Sequence, residues 1–313
     1  MDLRKGYIGL TDPEWFAFLS AHPHVDEVNF WQPHGNRAFR AIKPGEPFFF
    51  KLRAPLKGIA GFGFFERYEA LHAWLAWECF EEMNGAPDFE SMIDRIGRLR
   101  GEGTSKTGDF QIGCIMVTAP VFFTRDDWVA PPADWPPTGI QQGKTYGLES
   151  GEGKRVFYEC LERAVCGKRY WNVERVAEGS PRYGTPMLVR PRLGQGLFSL
   201  EVRDAYDGAC AVTGEHSGPV LEAAHIVPYA CGGEHRVDNG LLLRSDLHRL
   251  YDRGYVTVTP DYEFRVGERL REDFKNGRSY YGLSGLRIAV PEETLWRPNR
   301  EGLEWHQREV FRG

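Results

Sequence analysis

VLEAAHIVPYACGGEHRVDNGLLLRSDLHRLYDRG, residues 220–254, is the stretch that decides how this chain is read. Asn239 follows His225 by fourteen positions, His248 follows Asn239 by nine, and Asp252 follows His248 by four. Val220 to Val227 is apolar with one polar interruption and stops at Pro228, which predicts a strand. Gly232, Gly233, Asp238 and Asn239 predict a long turn. Ser245-Asp246 ahead of Leu247, Leu250 and Tyr251 predicts a helix that begins near Ser245 and ends before Gly254. On that helix His248 and Asp252 share a face, so one metal ion could bridge them. Strand alternation sends His225 to the side opposite Glu222 and Ala224. Strand, loop and helix thus bring an imidazole base beside a metal site.

The order AHI-x-P, then an Asn after a glycine-bearing turn, then a helical LHRLYDRG, resembles the HNH endonucleases of the ββα-metal type. The resemblance implies that His225 is the general base, that Asn239 holds it in orientation and that His248 is a metal ligand. Asp252 stands at a helical position that is a further ligand in several members. Many members carry Asp or His immediately before the first His, where this chain has Ala224. Glu222 lies on the same strand face with a longer reach and is the candidate replacement, with waters completing the sphere as they do around Mg²⁺.

These residue types suit the chemistry. A phosphodiester is anionic and resists water, so its hydrolysis needs a generated nucleophile and neutralisation of the charge that builds on phosphate and leaving oxygen. Neutral imidazole is a suitable base near pH 7. The resemblance implies a divalent metal cofactor and 5′-phosphate and 3′-hydroxyl products. His with carboxylate accepts Mg²⁺ or Mn²⁺, and also Zn²⁺ or Ni²⁺.

The flanks extend the unit to residues 201–313. Ala205 to Gly214, AYDGACAVTG, reads as a helix end and a Cys-bearing turn. Tyr255 to Val266 alternates like a hairpin around Pro260 and Asp261, and the tail LEWHQREVF reads as a helix in which His306 is structural. Thr213 stands where a zinc-binding pair with Cys210 would need a second Cys, so Cys210 is expected to be a buried thiol.

The chain has 313 residues and 42% hydrophobic content, enough for two cores. Its six cysteines form no paired spacing, no basic-then-apolar leader opens the sequence, and no apolar run reaches eighteen residues. A cytoplasmic protein is expected, with no membrane partner. The net charge of −5 is unfavourable for nucleic-acid binding. Charge is local, however: Lys154 to Arg203 carries ten basic against five acidic residues. Residues 151–200 therefore read either as a mixed-charge helical connector or as a phosphate-tracking surface.

Residues 1–150 read as a separate domain. Strands are predicted at Glu46 to Leu52, Ile59 to Phe65 and Gly113 to Phe123, with helical aromatic spacing from Ala70 to Asn84, and a mixed barrel-like fold follows. Asn29 to Phe65, NFWQPHGNRAFRAIKPGEPFFFKLRAPLKGIAGFGFF, is similar to the opening of PUA-like domains of the EVE and ASCH kind. The expected class is α+β, an N-terminal PUA-like mixed β-barrel followed by a C-terminal ββα-metal (HNH) nuclease domain.

Relatives of the PUA-like kind often bind nucleic acid, and several receive a flipped, modified base. Such a pocket needs flat apolar walls and a few polar groups to read the base edge. Trp31 with Gln32 and Asn36 offers both, Gly61 and Gly63 would permit close backbone approach, and Gln141, Lys144 and Tyr146 in GIQQGKTYG are further loop candidates. Each has a plainer reading, Trp31 as core and Asn36 as a turn residue. The fusion implies restriction of double-stranded DNA carrying modified cytosine, flipped into the first domain and cut by the second. The competing class is a non-catalytic modified-DNA-binding protein whose HNH unit is a degenerate scaffold, which Ala224 favours. One HNH unit cuts one strand, so double-strand cleavage calls for a homodimer or two sequential events.

Overall fold

The computed structural model describes residues 3–22, 24–101, 105–136, 139, 142–166, 194–275 and 277–313. The chain divides into two compact units, Met1–Arg192 and Leu193–Gly313.

The first unit is built on a six-stranded mixed sheet of β1 (Lys5–Thr11), β2 (Glu27–Gln32), β3 (Pro47–Leu52), β4 (Ile59–His72), β5 (Gln111–Phe122) and β6 (Gly143–Gly147), in the order β2-β5-β4-β3-β1-β6. Only β1 and β3 run parallel. Strand β3, PFFFKL, is buried at every position. A continuous apolar run of this kind belongs to a central strand covered on both faces. Phe48 and Phe50 pack against Phe30 on one side, while Phe49 meets Phe62 and Phe157 on the other.

Helices α1 (Pro13–Ser20), α2 (Ala73–Phe80), α3 (Phe89–Arg100) and α4 (Gly151–Cys166) complete this unit. Asp12 caps α1 by accepting from the Glu14 and Trp15 amides, and Pro13 sits where a missing N–H costs nothing. Helix α4 contributes Val156, Phe157, Cys160 and Ala164 to the core shared with Ile8, Phe49 and Phe62.

One expectation needs correction. The sheet is open rather than a barrel, because β2 and β6 stand at its two ends and are not hydrogen-bonded to each other among the described residues. Helix α4 packs into the core of the first unit, and α5 (Gln195–Ala205) into that of the second.

In the second unit β7 (Leu221–His225) pairs antiparallel with β8 (Gly240–Arg244), and α6 (Ser245–Asp252) follows at once. Leu247 and Tyr251, four apart, bury one face of α6 completely. Strands β9 (Val256–Val258) and β10 (Phe264–Val266) form the expected hairpin. Short helices α7 (Arg269–Phe274) and α8 (Arg278–Tyr281) lead to α9 (Arg300–Glu309), which Asn299 caps. No helix among the described residues is long and apolar enough to cross a membrane.

Candidate functional site

His225 ends β7 opposite Gly240 of β8. Its ring lies on Phe198 of α5, with centroids 4.0 Å apart and planes 13° from parallel. A side chain at Gly240 would collide with Val202 and come within 3.1 Å of Phe198, so the glycine lets α5 seat directly on the hairpin. Burial, followed by the neighbouring His235 and His248, pushes the His225 pKa down to about 4. The imidazole is therefore neutral near pH 7, the state a proton acceptor needs.

Asn239 works on the backbone around this ring. Its Oδ1 accepts from the Val227 amide at 2.9 Å, and its Nδ2 donates to the carbonyls of Val227 and Glu234, each at 3.0 Å. The Ile226 amide donates to the Asn239 carbonyl at 2.8 Å. One side chain thus ties the end of β7 to the 228–238 loop. A Cβ at Gly233 would run into the Val227 carbonyl oxygen, so that close approach requires glycine.

His248 is held by two carboxylates, one at each ring nitrogen. Nδ1 lies 2.7 Å from Glu222 Oε2, and Nε2 lies 3.4 Å from Asp252 Oδ2. The two carboxylates thus face different nitrogens of the one ring. No group of three or more His, Cys, Asp or Glu side chains among the described residues stands ready to hold a metal. The donor chemistry nevertheless fits a divalent cation, which an imidazole nitrogen and a carboxylate oxygen would hold with water completing its sphere. The other carboxylate would then orient the ring through its second nitrogen. Ala224, where a ligand was absent by sequence, is fully buried in the hydrophobic core of this unit.

His235 was not singled out from sequence. Its Nδ1 lies 3.0 Å from His225 Nε2, and its ring is parallel to Tyr229 within 6° at 4.8 Å between centroids. Its place in a glycine-rich turn gave no periodic signal. His306, expected to be structural, is buried: Thr257 Oγ1 is 2.9 Å from its Nδ1, and its Nε2 donates to the Tyr251 carbonyl at 3.1 Å.

The basic segment is only partly within the described residues, which exclude Lys168, Arg169, Arg175, Arg182, Arg190 and Arg192. Of the others, Arg155 pairs with Glu152 and Glu159, and Arg163 pairs with Glu159. Arg203 donates to the carbonyls of Gly218 and Leu221. These three arginines serve the fold. Cys210 is a buried thiol as expected.

The first unit contains a cleft of about 220 Å³ with aromatic walls from Tyr7, Trp15, Phe30 and Trp31. Gln32, Arg53 and Gln142 bring polar groups to it. Trp31 is anchored by donation from Nε1 to the Asn84 carbonyl at 2.9 Å. The remaining candidates fall elsewhere. Asn36 is exposed and does not line the cleft, and Gln141 lies outside the described residues. Lys144 and Tyr146 are both engaged by Asp134, at 2.8 and 3.0 Å. Gly61 and Gly63 do permit close approach, but the approaching atoms belong to β5.

The HNH endonuclease family matches residues 210–259. No curated protein matches the chain significantly. Among solved structures, the chain is similar to a mutant form of the ZmASCH protein from Zymomonas mobilis, at 12% identity and a TM-score of 0.31, over 49% of this chain and 96% of that one. It is also similar to the modification-dependent TagI restriction endonuclease, at 11% identity and a TM-score of 0.30, over 92% of this chain and 76% of that one.

Proposed function

From the HNH endonuclease domain that residues 210–259 form, we propose that this protein is a metal-dependent DNA endonuclease that restricts DNA carrying modified cytosine. The observation that carries the nuclease reading is the neutral His225 at the end of β7, in the same ββα unit as the carboxylate-held His248.

His225 takes a proton from water as that water attacks phosphorus. Asn239 fixes the backbone on which the ring is mounted. Glu222 and His248 would hold the divalent cation, and Asp252 would orient His248 through Nε2; the shorter contact and the shared strand with His225 favour this assignment. When bound, the cation supplies Lewis-acid stabilisation of the phosphate and the departing 3′ oxygen. Cleavage leaves a 5′-phosphate and a 3′-hydroxyl.

In the first unit, the cleft lined by Trp31 and Gln32 would receive the flipped base. Its aromatic walls offer stacking surfaces, and its volume of about 220 Å³ suits one nucleobase rather than a longer ligand. Gln32, Arg53 and Gln142 would read the base edge.

Matched plasmids containing unmodified, 5-methyl- or 5-hydroxymethylcytosine, incubated with Mg²⁺ or Mn²⁺, test both halves. Cutting confined to modified DNA is expected. Equal cutting of all three would remove the reader and leave the nuclease.

A further inference from the structure

We propose that His235 is a positioning residue for the nuclease reaction, accepting a hydrogen bond from His225 Nε2–H and so leaving His225 Nδ1 as the atom that takes the proton from water. This inference rests on the nuclease reading above and adds to it a residue and a tautomer.

The two rings meet at 3.0 Å through Nε2 of His225 and Nδ1 of His235. A hydrogen bond there needs one proton. If His235 donated it, a neutral His225 would carry its own proton on Nδ1 and have no lone pair left for water. If His225 donates, Nδ1 is unprotonated and basic, and His235 is the neutral Nε2–H form. Only the second arrangement is compatible with a catalytic base.

The pair is built rather than incidental. Phe198 lies beneath His225 at 4.0 Å, Tyr229 lies parallel to His235 at 4.8 Å, and the two imidazoles meet at 58° between these aromatic walls. Stacking on both sides restricts ring rotation, so the nitrogens stay aligned. The loop that carries His235 is fixed by its neighbours: Asn239 Nδ2 donates to the Glu234 carbonyl, and Gly233 packs on the Val227 carbonyl. Asn239 thereby sets the backbone on which both histidines depend.

One proton moves in the step, from water to His225 Nδ1, as the water oxygen bonds to phosphorus and the bond to the 3′ oxygen breaks. The resulting imidazolium keeps its Nε2–H hydrogen bond to His235 throughout. A neutral acceptor orients the ring without adding a fixed negative charge beside the phosphate.

Two substitutions separate the hydrogen bond from the packing. His235→Phe keeps a ring against Tyr229 and removes the acceptor. His235→Asn removes the ring but can place Oδ1 where Nδ1 stood. Ring-nitrogen NMR of the full-length, metal-free protein is expected to show His225 protonated at Nε2 in wild type and in His235→Asn, and a mixture of tautomers in His235→Phe. Single-turnover cleavage with Mn²⁺ should fall about tenfold or more in His235→Phe at unchanged DNA affinity, and recover in His235→Asn to within about threefold of wild type. Nδ1 protonation of His225 in wild type would overturn the inference. So would a His235→Phe protein with wild-type tautomer and rate, or a His235→Asn protein as slow as His235→Phe. Wild-type protein that cuts no DNA would contradict the nuclease reading instead, and the ring-nitrogen pattern would still decide the hydrogen bond.

Discussion

The contacts at His248 distinguish its two carboxylate partners. Glu222 reaches Nδ1 at 2.7 Å, while Asp252 approaches Nε2 at 3.4 Å with 56% of its side chain exposed. If Glu222 and His248 hold the cation, Glu222→Gln should weaken Mn²⁺ binding by at least about tenfold. Asp252→Asn should weaken it less, because orienting a ligand counts for less than being one. Isothermal titration with Mn²⁺ measures both, and the reverse ranking would place the ion on the Asp252 side. Gly233 yields a second prediction. Any side chain there meets the Val227 carbonyl, so Gly233→Ala should destabilise the second unit by about 1–3 kcal/mol and lower cleavage through displacement of the loop. Chemical denaturation with an activity assay checks both effects.

Among the elements, α9 packs on the second unit through buried Leu303 and His306, and His306 links it to β9 and α6. His306 meets Thr257 and the Tyr251 carbonyl, and its ring stacks on Tyr251 at 3.7 Å. Burial pushes its pKa down to about 4 from the ordinary 6.5. Between those values the unfolded chain binds the proton that the folded chain excludes, so stability falls as pH drops from about 6.5 towards 4. Hydrogen exchange at the β9 and α9 amides should therefore accelerate between pH 7 and pH 5 relative to the intrinsic rate. His306→Gln should weaken that dependence and leave the part that His225, lowered to about 4 likewise, contributes, and an unchanged pH dependence in the variant would remove His306 as a source.

The strand at Leu221–His225, the helix at Ser245–Asp252 and the later hairpin and terminal helix were readable because each carries a strong local period or a turn signal. Strand β8, GLLLR, carried no assignment between the turn and the helix expected from Ser245, since a short apolar run has no period to mark it as strand. His235 stayed hidden because its meeting with His225 depends on the shape of a loop. In the first unit, the aromatic strands were legible but sheet closure was not: the pairing of the end strands lies beyond local pattern. Lys144 and Tyr146 were expected in a loop but lie on β6, where both contact Asp134, ten and twelve positions before them.

For the molecule as a whole, one HNH unit per chain predicts that the strands are cut separately. Nicked circles should precede linear DNA, and sedimentation should reveal whether a dimer shortens that interval. Trp31→Ala removes a cleft wall in the first unit and leaves the second unit's site intact, so it should reduce the preference for modified over unmodified DNA by about tenfold or more. Competition between the two DNAs measures it, and an undiminished preference would place the reader elsewhere. Under the proposed function, restriction would need two chemistries on one chain: recognition by stacking and edge contacts, and hydrolysis by an imidazole base with a bound cation.

Conversion of supercoiled plasmid containing modified cytosine to nicked and linear forms is the most direct test of that hydrolysis, with Mn²⁺, with Mg²⁺ and with chelator, using wild-type protein and His225→Ala. The account predicts cutting by wild type only when divalent metal is present, and a loss of at least about a hundredfold in a His225→Ala protein of unchanged circular dichroism. Cutting by His225→Ala at the wild-type rate, or no cutting by wild type with either ion, would contradict it.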